Sequence, residues 1–233
     1  MINDYIQLTL RLVAFSIFIQ NLEFVYIYLK NKQTLITQYF FYYSLVTLFI
    51  AAYCIFLPDL SFAFYFLISL IYQFHFFKGI YNGGSTSMTQ QVVIALCVAY
   101  ILKMADYPLQ FSIYYIAVQS IASYFIAGLV KIKEPEWRNG QMIIAIIKHS
   151  HYQIPNFIAP IIKKQWLAFL AAWVTMLFEL SSPYIIFNKI YLIPFFCFLI
   201  SFHLMNAFIF GINRFTYAWL ATYPAIYYLA HQI

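Results

Sequence analysis

Eight apolar runs, each near the length of a membrane-crossing helix, decide what this chain can fold into. They lie near Tyr5–Leu29, Gln38–Leu57, Ser61–Phe77, Thr89–Lys103, Leu109–Val130, Gln165–Phe187, Ile190–Phe210 and Phe215–Ala230. A helix needs about 20 residues to cross a bilayer, and the third and fourth runs are short. Charged residues make up 9% of the chain and hydrophobic ones 64%. A soluble domain carries roughly 25% charged residues, so lipid must be the solvent here. Only helices or closed barrels satisfy every amide in lipid, and these runs are too long and too uniformly apolar for barrel strands. The expected fold is therefore an all-α membrane protein. It is a single domain over residues 1–233, with about eight transmembrane helices.

One connector is long, from Lys131 to Lys164. Within it Met142–His149 reads as a short helix lying along the interface, and Pro155 and Pro160 break the segment after that helix. Pro58, Pro108 and Pro183 fall near run ends; Pro194 lies inside the seventh run and is expected to start that helix late or kink it. The 22 Tyr and 26 Phe exceed what interfacial belts use, so part of the Tyr must hydrogen-bond inside the bundle.

Basic residues divide unevenly. With eight spans, Lys30, Lys32, Lys78, Lys131, Lys133, Arg138, Lys148, Lys163, Lys164 and Arg214 collect on one side, against Arg11, Lys103 and Lys189 on the other. The positive-inside rule makes the first side cytoplasmic and puts both termini outside. The net charge of +6 calls for no nucleic acid, because anionic lipid headgroups suffice. Only Asp4, and no basic region, precedes the first run, so no cleavable signal peptide is expected. Cys54, Cys97 and Cys197 lie inside apolar runs and read as small core residues.

Soluble-enzyme signatures are missing: there is no GxGxxG, P-loop, HExxH or GxSxG. His149-Ser150-His151 is a lone HxH pair, weak evidence for a metal, and none is predicted. Four carboxyl or imidazole side chains sit inside runs: Glu23, His75, Glu179 and His203. Such groups face a bundle interior or polar cavity, where they either serve a function or fix helix register through a buried hydrogen bond. Glu179 and His203 lie nearest mid-span and are expected to point inward, each with a polar partner.

Lys131 ends the fifth run and is followed by the charged turn Glu134-Pro135-Glu136-Trp137-Arg138. At a helix C-terminus a lysine complements the dipole and reaches headgroups. A desolvated lysine instead loses its proton more easily and can act as a base.

The stretch Tyr124-Phe125-Ile126-Ala127-Gly128, then Lys131, Trp137 and Gly140, resembles the membrane domain of vitamin K-dependent γ-glutamyl carboxylases, within the wider HTTM (horizontally transferred transmembrane) family. A second block agrees: Phe202-His203-Leu204-Met205-Asn206, then Phe210, Phe215, Tyr217, Leu220-Ala221 and Pro224. Glu179 matches an acidic residue between them. Tyr81-Asn82-Gly83-Gly84-Ser85 resembles the loop before the next helix, and the resemblance runs from about Phe40 onward. It implies a bundle holding a reduced, vitamin K-like quinone. It implies Lys131 as the base, His203 as a second catalytic residue, and Asn206, Glu179, Trp137 and Asn82 around the pocket.

Two departures argue against true carboxylation. The family's Asn-His pair reads Gly83-Gly84 here, and no large extramembrane domain follows the last run. Short HTTM proteins of this kind resemble bacterial membrane proteins that mature secreted toxin peptides with a partner protein. The expected setting is thus a bacterial inner membrane, with membrane lipid and a partner protein or secreted peptide. Two functions compete: a quinone-linked, peptide-modifying enzyme with Lys131 as base, and a non-catalytic membrane subunit scaffolding a partner or lipid. A transporter fits less well, because neither an inverted repeat nor paired broken helices are visible.

Overall fold

The computed structural model describes residues 2–30, 38–79, 83–149, 164–210 and 213–233. Every described element is helical: α1 (Ile2–Lys30), α2 (Gln38–Phe56), α3 (Phe62–Phe76), α4 (Gly83–Met104), α5 (Gln110–Lys133), α6 (Pro135–Arg138), α7 (Gln141–His149), α8 (Gln165–Ile186), a 3-10 turn (Lys189–Tyr191), α9 (Leu192–Phe210), α10 (Asn213–Leu220) and α11 (Tyr223–Gln232). The helix expected over 142–149 is α7.

Six helices, α1, α2, α4, α5, α8 and α9 with its leading turn, are long and apolar enough to cross a membrane. α3 has 15 residues, about 22 Å at 1.5 Å per residue, which falls short of a hydrocarbon core of roughly 30 Å. The last run divides at Ala221–Thr222 into α10 and α11. Pro224 fits the first turn of α11, where its missing N–H is not needed; inside one continuous helix it would remove a bond to Leu220. The all-α membrane class stands, and the count of eight is approximate. Pro194 sits in the first turn of α9, which begins at Leu192 rather than Ile190. Side chains such as Phe49, Ile68, Val118 and Leu177 are apolar and more than half exposed on their helices, the pattern of a lipid-facing surface.

The described chain packs as two compact units, Met1–Ala117 with Arg214–Leu229 and Val118–Asn213 with Ala230–Ile233. In the first, α1 lies along α2 and touches α4, and α3 packs on α4. Its interior mixes Leu10, Val13, Ile17, Phe66, Leu96 and Ile226 with buried Thr9, Ser16, Gln20, Asn21 and Gln73. Gln20 Nε2 donates to Gln73 Oε1 at 2.8 Å, and the Tyr43 hydroxyl donates to the Ser69 carbonyl at 2.8 Å. Polar groups in lipid seek partners across helices, so these bonds fix helix register where apolar packing alone is indifferent. Phe24 and Phe40 anchor an aromatic nest with Phe76 and Phe77.

The second unit holds the C-terminal part of α5 and α6 to α9. α6 packs on α7 and α8, α7 on α8, and α8 on α9. Gly140 has φ of +79°, and a Cβ there would lie 2.5 Å from the Phe169 amide nitrogen. Only glycine lets the turn after α6 press main chain on main chain against α8. Trp173 Nε1 then donates to the Arg138 carbonyl at 3.0 Å and Gln165 Nε2 to the Asn139 carbonyl at 2.5 Å.

Candidate functional site

The site is built where α5 meets α8. A Cβ at Gly128 would lie 3.0 Å from Glu179 Cβ and from the Leu180 amide nitrogen, so the absence of a side chain sets how closely the two helices approach. Small residues serve this purpose at membrane helix interfaces. Ser182 Oγ donates to the Ile121 carbonyl at 3.2 Å at the other end of the contact. Lys131 follows Gly128 by three residues, on the same helix face. Its Nζ donates to both Glu179 oxygens, at 2.6 and 2.7 Å. The lysine side chain is 19% exposed and the glutamate 8%. The Trp137 ring, on α6, lies with its centroid 5.4 Å from Nζ. A desolvated ammonium gains up to about 2 kcal/mol over such a ring. Lys131 is thus neither extended into headgroups nor an isolated amine.

Glu179 also lies in a tight seam, too closely packed to hold a water molecule, with Tyr124, Thr175, Phe178, Phe198, Leu199 and Phe202. Tyr124 hydrogen-bonds His203 Nε2 at 2.8 Å. His203 is 1% exposed and Glu179 is likewise buried, each meeting a polar partner. Tyr124 therefore bridges the seam and the histidine. Asn206 lies one turn beyond His203, half-buried, and is not among the seam-lining residues. Asn82 lies outside the described residues, as does His151. Among the described residues, no three His, Cys, Asp or Glu side chains are grouped to hold a metal.

The family model of the HTTM domain matches residues 98–230, more than half of the chain. This chain belongs to the HTTM family. No curated protein and no solved structure matches it. The matched part of this HTTM protein contains Lys131, Trp137, Glu179, His203 and Asn206, whereas Glu23 lies before it.

A second ion pair has no signature in the sequence. Arg214 Nε donates to Glu23 Oε2 at 2.7 Å, and the guanidinium carbon sits 4.8 Å from the Phe24 ring centroid. Arg214, expected as a loop charge of the basic side, is 5% exposed at the start of α10. A basic residue just after an apolar run reads as a solvated anchor, and no spacing rule links it to an acid 191 positions earlier. His75, weighed as a buried group, is exposed in the last turn of α3. Cys197, expected in a core, faces outward on α9, whereas Cys54 and Cys97 are buried.

Proposed function

We propose that this HTTM protein is a membrane enzyme of peptide modification, in which the Lys131–Glu179 pair takes a proton from the hydroxyl of a reduced, vitamin K-like quinone. The observation that supports it is the pair itself: a lysine at the end of a membrane helix, largely shielded, holding both oxygens of a buried carboxylate beside an aromatic seam. The chemistry of the lining suits such a group, with the aromatic Tyr124, Phe178, Phe198 and Phe202 and the carboxyl of Glu179 at one edge, but Phe178 and Phe198 stack on each other, so these rings would have to part to admit a quinone. Ammonium and carboxylate together can accept one more proton. Lys131 passes a proton to Glu179 and becomes an amine. The Lys131 amine would then be the group that accepts the proton of a bound hydroxyl, re-forming the ammonium beside the developing negative charge. Glu179 is the relay that frees Lys131 as the base. The quinone, when bound, supplies the oxidisable ring that drives further chemistry.

True carboxylation is less well supported. The family's histidine position is Gly84 here, and a Cβ there would lie 3.2 Å from the Phe215 ring edge. An imidazole would require that ring to move. A second reading has an observation of its own: the seam is packed too closely to admit a water molecule. Such an interior suits a non-catalytic subunit that scaffolds a partner.

The test uses protein in nanodiscs with anaerobic menadiol, read by native mass spectrometry and by the absorbance of the ionised hydroxyl. Wild type retains the hydroquinone and ionises it. Lys131→Arg retains it without ionising it, because guanidinium cannot release its proton near neutral pH. If wild type retains none, the scaffold reading takes over. Ionisation surviving in Lys131→Arg would remove the lysine as base.

A further inference from the structure

The second unit carries an open groove of about 790 Å³, lined by Pro135, Arg138, Asn139, Gln165, Trp166 and Phe169. Its walls are mostly apolar, and among the described residues Arg138 is its one charged lining residue. Among the described residues the guanidinium makes no ion pair. The main chain of Arg138 is occupied, accepting from Trp173, while its side chain is exposed. Beside it Asn139 and Gln165 offer polar edges, tied together by the Gln165 Nε2 bond to the Asn139 carbonyl.

The groove continues down a membrane helix. Trp166, Phe169, Leu170, Val174 and Leu177 are all more than 40% exposed and succeed one another along α8 at helical spacing. From Trp166 to Leu177 this stripe runs about 16 Å into the span. Tryptophan belongs at the level of the headgroups and arginine reaches the same level, while the side chains beyond belong among acyl chains. An exposed cation at a groove that adjoins an apolar stripe matches a molecule with one anionic head and a long apolar tail.

We propose that this groove seats one anionic phospholipid, its phosphate on the Arg138 guanidinium and an acyl chain along the α8 stripe. Guanidinium forks onto phosphate oxygens better than a point-charge ammonium does, so the site prefers an anionic head with accessible oxygens over a zwitterionic one whose own cation competes. The inference is independent of the proton-transfer reading, since no lining residue of the groove belongs to the Lys131–Glu179 pair.

The experiment is native mass spectrometry of protein released from nanodiscs containing equal phosphatidylglycerol and phosphatidylcholine. Wild type is expected to retain one phosphatidylglycerol at least tenfold over phosphatidylcholine. Arg138→Gln, which leaves the main-chain bond to Trp173 in place, should cut that preference about tenfold with helical content unchanged. Arg138→Lys should fall between them, and serves alone if the glutamine variant does not fold. Equal retention of the two lipids by wild type overturns the proposal, as does unchanged phosphatidylglycerol retention in Arg138→Gln. Retention of an added acidic peptide in place of lipid would overturn it in favour of a peptide groove.

Discussion

The two ion pairs, Lys131–Glu179 and Glu23–Arg214, solve one physical problem with different cations. Each joins residues far apart in sequence, and each sets its cation over an aromatic ring, Trp137 in one and Phe24 in the other. In the first the acid is the more buried partner, at 8% side-chain exposure against 19%. In the second the cation is, at 6% against 37%. A guanidinium stays protonated in any protein setting, so the buried Arg214 is permanently charged and Glu23 must remain its counter-ion. Lysine and glutamate can trade a proton and both become neutral. One pair is a fixed tie, and under the proposed function the other is the place where a proton moves.

That contrast breaks most visibly when the acids are removed. Glu23→Ala takes the acid from a buried cation that cannot neutralise itself and should cost about 1–3 kcal/mol of stability, below the figure for fully buried pairs because Glu23 is 37% exposed. Glu179→Ala leaves a lysine that is more exposed than Arg214, and should cost less. Thermal unfolding in one detergent compares them, and a larger loss for Glu179→Ala would sink the distinction. Exchanging the cations comes next. Lys131→Arg should lower proton-transfer activity about a hundredfold or more, roughly 3 kcal/mol of barrier, yet hold its pair and its melting temperature. Arg214→Lys should keep activity and lose about 1 kcal/mol of stability with its Nε bond to Glu23.

An effect of similar size is expected at Gly128. Alanine there forces α5 and α8 apart by a few tenths of an ångström and should cost about 1–3 kcal/mol, as overpacking does. Activity should fall with it if the Lys131–Glu179 distance matters, and stay level if it does not. The smallest effect belongs to Asp59, in the loop between α2 and α3. The Ser61 backbone amide donates to its carboxylate at 2.8 Å and holds its pKa below the usual value. A depressed folded-state pKa stabilises above the unfolded value, and that gain is lost as pH falls through the folded one. A melting profile in acid should therefore show a slight extra loss in wild type that Asp59→Asn lacks, far weaker than either ion pair.

The membrane class was legible because apolar length is a one-dimensional signal. So was the helix over 142–149, whose isoleucines stand at helical spacing. The ends of the chain's last apolar run were less so. Composition sees one run from Phe215 to Ala230, but Pro224 forbids a continuous ladder and the helix restarts at Tyr223. At the site, residue type and position marked Lys131, Glu179 and His203 individually, while their partners were hidden. Nothing in the order of residues states that Gly128 brings position 179 to position 131, or that Tyr124 meets His203. Pairing across helices depends on register, which apolar faces in lipid leave open. Arg214 was misread for the same reason: a basic end of a run looks solvated until its neighbour in space is known.

Gly140 acts beyond its own turn. By seating main chain on the Phe169 backbone, it references α6 to α8 without relying on any side chain. Trp137 rides on α6 and Glu179 on α8, so the indole and the carboxylate flanking the Lys131 ammonium share one rigid rail. Both partners of that cation are therefore referenced to one joint, the Gly140 backbone contact with the Trp173 and Gln165 hydrogen bonds beside it, about 15 Å along the helix from the acid. A change of one or two residues in length between Trp137 and Gly140 would retune indole against carboxylate without touching α5.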